Sequence, residues 1–231
     1  MNRFIKDDTY LFEKDLNERA QTHKIAEYLQ HLLPDYNVDC EYNKKLNTTK
    51  NLDFDYIVQE IKNFVDKNKE TTKNNNIFEI LRYAFGWNET SELRGIFSEL
   101  AKDLDNPVRI ADESDVGTDF AGSFLEFSTS KNNSKKYVKR VFPDIIAHMR
   151  GRKNNKIVIE AKKASNRNDK AKIFDIIKLN LFTQIPGQYE YCAGYFVELP
   201  SGPISDRFTI DIRQCNLIPS SNVFVVRVVQ L

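Results

Sequence analysis

A chain of 231 residues with 41% hydrophobic and 12% aromatic content can bury a sizeable core as one domain carrying an insertion, and a second full domain is not expected. Formal net charge is only +1, but the region before about residue 127 is acidic while lysine and arginine concentrate beyond it. Cys40, Cys192 and Cys215 are widely separated and odd in number, which argues against a disulfide framework or a zinc site and fits a reducing cytoplasm. No apolar run approaches a membrane span, residues 1–8 lack the apolar core of a secretion signal, and no Gly-rich phosphate loop of an ATP-driven motor is present. A soluble intracellular protein is expected.

In chain order, the run 15–33 is the first amphipathic helix, and Val38 to Asn43 the first strand. Glu18 lies four, seven and eleven residues before Thr22, Ile25 and Leu29, so it heads the apolar stripe and faces the body of the protein. An inward carboxylate is a functional candidate. It also fits a capping box, with Asp15 as N-cap and Glu18 at the third helical position. Leu52 to Lys67, Ile77 to Phe85 and Ser91 to Leu104 carry helical periodicity, so 47–120 is expected to be a mainly helical insertion. Phe124 to Thr129 and Tyr137 to Phe142 then alternate as strands around a polar turn.

The most informative stretch is 143–163. Asp144 opens a short apolar strand, Arg150 to Asn155 is a polar turn containing Gly151, and Lys156 to Lys162 is a second strand. Alternation puts Glu160 and Lys162 on one face with Val158, and Ile157, Ile159 and Ala161 on the other. A partly buried carboxylate beside a lysine needs a counter-ion, and a divalent metal would supply one. Asp144, Glu160 and the backbone carbonyl of Ala161 offer the hard oxygens that Mg²⁺ prefers, with Mn²⁺ as a substitute. Lys162 would orient the attacking water or stabilise developing charge during phosphodiester cleavage. The same residues also read as a surface hairpin with a salt bridge, because Glu-x-Lys is a short motif.

Downstream, Asn168 to Thr183 places Ile173, Ile176, Ile177 and Leu181 on one face, with Lys172, Asp175 and Lys178 nearby, as a crossover helix. Ala193 to Leu199 is a buried strand, and Phe208 to Ile212 and Val223 to Val229 are further strands, giving an α/β order. The basic residues Lys131, Lys135, Lys136, Lys139, Arg140, Arg150, Arg152 and those beyond could ring a phosphate-binding face. His23, His31 and His148 share no metal spacing and are assigned no role.

Pro143-Asp144 followed by Glu160-Ala161-Lys162 resembles the PD-(D/E)XK nuclease superfamily, and all three polar positions of that motif are filled. The segment 17–23, Asn-Glu-Arg-Ala-Gln-Thr-His, resembles the glutamate-bearing helix that many members place before the core sheet. The resemblance implies a restriction-endonuclease-like mixed central sheet flanked by helices, in a single nuclease-like domain over 1–231. It further implies a Mg²⁺-dependent nuclease acting on nucleic acid, DNA in preference to RNA, with Glu18, Asp144, Glu160 and Lys162 in the catalytic centre. Lys178 resembles the basic residue that relatives direct at a phosphate. Gln184 and Gln188 lack the tyrosine four residues on that marks exonuclease branches. A role in defence or mobile-element processing, as a homodimer or within a larger complex, is compatible with this reading. A non-cleaving nucleic-acid-binding or regulatory protein on the same fold is the alternative, and a protein-interaction module the third.

Overall fold

The computed structural model describes residues 6–42, 44–45, 48–59, 108–110, 126–129, 135–152, 154–202 and 208–230. Two helices open the chain, α1 (Tyr10–Glu13) and α2 (Glu18–Leu32), followed by β1 (Asn37–Cys40), β2 (Lys44–Lys45), β3 (Thr48–Thr49) and β4 (Asn51–Asp53). Then come β5 (Val108–Ile110), β6 (Glu126–Thr129), β7 (Lys135–Arg140), β8 (Ile145–His148) and β9 (Asn155–Lys163). The last elements are α3 (Asp169–Thr183), β10 (Ala193–Leu199), β11 (Phe208–Gln214) and β12 (Val223–Gln230). Contacts divide the chain into two units, 1–48 with 142–231, and 49–141.

The first unit is built on a six-stranded mixed sheet in the order β1-β8-β9-β10-β12-β11. The neighbours β1, β8 and β9 pair antiparallel, β9, β10 and β12 pair parallel, and β11 closes the edge antiparallel to β12. Parallel neighbours need a long crossover, and α3 provides it between β9 and β10. Alternation along the strands then sorts the two faces. Ile159 and Ala161 of β9, with Val197 and Leu199 of β10, join Phe12, Ile25 and Ala26 in one apolar cluster under α1 and α2. The opposite face, carrying Glu160, Lys162 and Glu198, meets α3 through ion pairs. Helices therefore flank both faces of the sheet.

Local chemistry explains the helix starts. The Asn17 side chain accepts from the Ala20 N–H at 2.8 Å, so Asn17 is the N-cap of α2 and Glu18 its first helical residue. The capping box built on Asp15 is thereby corrected: Asp15 has φ 45° and its carboxylate accepts from Lys163 Nζ at 2.8 Å. Asn168 caps α3 in the same way as Asn17, accepting from the Ala171 N–H at 3.0 Å. Helix α3 was expected to show one apolar face; instead it is buried nearly all round, with Ile173, Ile176, Ile177, Leu179 and Phe182 each 0% exposed. The segments after it supply the cover. Phe182 packs against Tyr189 and Tyr191, while Asn180 bonds the Leu217 N–H and accepts Ser221 at its carbonyl. Strand β1 stops at Cys40, one residue before Glu41, whose φ of 49° breaks extended geometry.

The second unit contains a four-stranded sheet, β4-β7-β6-β5, in which β6 and β7 form the expected antiparallel hairpin. The helix expected from Leu52 starts later: Asn51 to Asp53 is a strand, the Asp53 side chain accepts from the Asp55 N–H at 3.0 Å, and residues 55–59 are helical. The helices expected at 77–85 and 91–104 lie outside the described residues, as does most of the 47–120 insertion. No helix among the described residues is long and apolar enough to cross a membrane.

Phe12 sits fully buried in the cluster that joins α1 and α2 to the sheet. Phe12→Ala should therefore cost about 3–5 kcal/mol of stability, read from denaturant midpoints, through lost transfer energy and a residual cavity. A loss under about 1 kcal/mol would mean that the N-terminal helices do not complete this core.

Candidate active site

The β8–β9 register determines the site. Ile146 pairs with Val158 and Ile145 with Ile159, so the next step along the antiparallel ladder sets Asp144 opposite Glu160 on the same sheet face. Asp144 Oδ2 accepts from the Ala161 N–H at 2.7 Å, and the Asp144 carbonyl accepts from the Glu41 N–H at 3.2 Å. These bonds fix the acid just before the start of β8. Glu160 is 1% exposed under α3, with Oε1 2.9 Å from Lys178 Nζ. Lys162 Nζ lies 3.2 Å from Glu18 Oε1, 3.1 Å from its neighbour's Ala161 carbonyl and 3.1 Å from Asp175 Oδ2. Glu18 Oε2 also accepts from the Lys163 N–H at 3.2 Å, which ties the start of α2 to the end of β9. The four residues proposed for the centre from sequence are thus joined by direct bonds or by strand register.

Sequence reasoning left out Asp175. Its Oδ1 lies 2.8 Å from Lys178 Nζ and its Oδ2 faces Lys162, so it bridges the two buried lysines. The signal in the sequence was the three-residue spacing of Lys172, Asp175 and Lys178, which puts plus, minus and plus on one helical face. The strands answer with minus, plus and minus: Glu198 pairs Lys172 at 2.8 Å, Lys162 pairs Asp175, and Glu160 pairs Lys178.

Around the motif, four carboxylates (Glu18, Asp144, Glu160, Asp175) face two ammonium groups (Lys162, Lys178), which leaves an excess of two negative charges when all are ionised. Burial pushes the Asp144 carboxyl above its ordinary range and Asp175 adds to this, against Lys162, the Ala161 N–H and Lys178. Burial raises Glu160 well above its ordinary value, helped by Asp175 and Asp144 and opposed by Lys178 and Lys162. For Lys162, burial pulls down, but Asp175, Asp144, Glu160 and Glu18 outweigh it and hold the ammonium charged. Lys178 is held charged in the same way, chiefly by Asp175 and Glu160 against burial.

A small divalent cation fits this chemistry. Its charge equals the excess, the donors are hard oxygens, and Glu160 Oε1 lies at ion-pair distance from Lys178 without an aligned hydrogen bond. Among the described residues no three Asp, Glu, His or Cys side chains converge as a cage. Mg²⁺ does not need one, since it uses one or two carboxylates and keeps several waters.

The residues expected to contact nucleic acid lie in three places. Lys178 is 7% exposed, with its ammonium between Glu160 and Asp175 inside the cluster. Arg150 is exposed and paired with Asp39, whose carboxyl burial would raise but which Arg150 and His148 hold below its ordinary range. Arg152 is exposed in the turn after Gly151, whose φ of 74° suits glycine. Lys135, Lys136, Lys139 and Arg140 all lie on β7, where the backbone alone is described.

Comparison with family models, with curated proteins and with solved structures finds no match to this chain. The functional argument therefore rests on the site.

Raised carboxyl groups mean that the folded chain binds more protons than the unfolded one. Their contribution is fully present below the ordinary carboxylate pKa of about 4 and is lost as pH rises through the raised values. Denaturation midpoints measured in chelator should accordingly fall as pH climbs from that range, and Glu160→Gln should flatten the fall. A midpoint that rises over the same window would overturn the charge balance described here.

Proposed function

We propose that the protein is a Mg²⁺-dependent nuclease of the restriction-endonuclease-like fold, hydrolysing phosphodiester bonds of DNA in preference to RNA. The observation that carries this reading is the apposition of Asp144 and Glu160 across the β8–β9 ladder, with Lys162 one turn of the pleat further on. The order of a helix, three antiparallel strands, a crossover helix and a parallel strand supports it, as it matches the expected core.

Asp144, Glu160 and the Ala161 carbonyl would hold the cation. When bound, Mg²⁺ supplies Lewis-acid polarisation of a phosphoryl oxygen and lowers the pKa of a coordinated water. Lys162 presents a fixed ammonium beside that position, able to orient the attacking water or to stabilise charge on the transferring phosphate. Glu18 holds the ammonium from the α2 side. The exposed arginines of the 150–152 turn and the basic strand β7 are the proposed backbone contacts.

A second reading, a non-cleaving nucleic-acid-binding or regulatory protein, is favoured by one contact: the Lys178 ammonium already neutralises Glu160. Metal-dependent nicking of plasmid DNA separates the two.

Asp144→Ala and Glu160→Ala should each abolish Mg²⁺-dependent nicking while the protein stays folded by circular dichroism. Lys162→Ala should slow turnover by roughly two to four orders of magnitude at saturating metal. Wild-type nicking by any of the three would remove that residue from the mechanism.

Binding should rest on neutralised phosphates, so affinity measured in inert Ca²⁺ should fall steeply with salt. Neutralising Lys135, Lys136, Lys139 and Arg140 together should flatten that slope by roughly one unit for each phosphate no longer neutralised, for all sequences alike. An unchanged slope would move the groove to the 150–156 turn.

A further inference from the structure

We propose that Asp175 is a positioning residue for the motif lysine: it holds Lys162 from the α3 side, away from the carboxylates that would hold the cation, and shares Lys178 with Glu160. The inference rests on the nuclease reading of the site and adds a residue that the motif does not contain.

A lysine ends in a point charge on a flexible four-carbon stem, with three donors and no built-in direction. Direction has to come from acceptors. For Lys162 the aligned acceptors are Glu18 at the start of α2 and the Ala161 carbonyl on β9, and Asp175 on α3 adds its charge from a third side, with Oδ2 at ion-pair distance of 3.1 Å and no aligned hydrogen bond. Asp144 and Glu160 also attract this ammonium. Without a pull from the α3 side, Glu18 would be the one carboxylate opposing the attraction of the oxygens a cation needs.

Asp175 supplies that pull and divides it. At 4% exposure it is more buried than either lysine it holds, and each of its two oxygens faces a different one. Lys178 is in turn shared between Asp175 at 2.8 Å and Glu160 at 2.9 Å. Glu160 therefore has to share its ammonium. A tether whose only task was to fasten α3 to the sheet would be served by the Lys172–Glu198 pair and the apolar residues of the helix. The arrangement around Asp175 instead centres on the motif lysine.

The test is Asp175→Asn, which keeps the shape and removes the charge. Three quantities are read: turnover of plasmid nicking at saturating Mg²⁺, KM for the DNA, and the proton–nitrogen correlation of the Lys162 ammonium. Turnover should fall roughly 10- to 100-fold with KM little changed, as expected for a misplaced catalytic group. The Lys162 correlation, sharp in the wild type because the group is held, should broaden or vanish. An unchanged Lys162 signal overturns the proposal whatever the turnover does, and so does unchanged turnover in a folded variant of an active enzyme. If the wild type itself does not nick DNA while its Lys162 signal still depends on Asp175, the nuclease reading has failed and the anchoring of Lys162 stands. Should Asp175→Asn not fold, the double variant Asp175→Asn/Lys178→Met removes both ends of one buried pair, and its Lys162 signal is read by the same criterion.

Discussion

Packing α3 against β9 and β10 brings Lys172, Asp175 and Lys178 from the helix, and Glu198, Lys162 and Glu160 from the strands, into an interior where each unpaired charge costs several kcal/mol. The alternation of sign on both surfaces makes this tolerable. Each helix charge meets its opposite on the sheet, and the sheet-facing side of α3 can be buried despite its charged residues. Such a contact is a poor source of stability, because hydrophobic side chains of similar volume would do as well or better. Its place in the middle of the main layer supports the proposal that this face serves chemistry as well as packing.

Strand register converts that contact into a site. A slip of one residue between β8 and β9 would turn Glu160 and Lys162 into the apolar cluster and expel Ile159 and Ala161 toward α3. The apolar residues of β9 thus hold the register that places Asp144 opposite Glu160. Core and site are the two faces of one strand, and a substitution on either is felt on the other.

Much of this could be read from the sequence because it depends on local periodicity. The alternation within 156–162 gave the two faces of β9, and Ala193–Leu199 was found where its apolar run predicted. The crossover helix begins at Asp169, one residue after its expected start at Asn168, whose role as its N-cap is a short-range property. What could not be read depends on contacts distant in the chain. The pairing of Lys178 with Glu160 and Asp175 forms only once α3 is docked on the sheet. Asp175 was passed over for the same reason. Glu18 was recognised as inward-facing, but its partner Lys162 lies 144 residues away, and its place as the first helical residue was obscured by Asp15, which mimics a cap by spacing alone. Burial of α3 on all sides was likewise set by the loop at 185–191 and the β11–β12 connection, which no helical period reports.

The charge count links stability to function at this site. With all groups ionised, the cluster around the motif carries two more negative charges than positive ones, and burial resists that state by drawing protons to Asp144 and Glu160. On the proposed reading, protons and a divalent cation would compete for the same oxygens. Asp144 illustrates the compromise: its Oδ2 is committed to the Ala161 N–H, a bond that favours the ionised acid and helps to oppose the burial that disfavours it. In the proposed function, a bound cation would offset the burial of these carboxylates, so its affinity would be coupled to their protonation. Lys162 and Lys178 cancel two of the four negative charges, and the remaining two are what the proposed cation would balance.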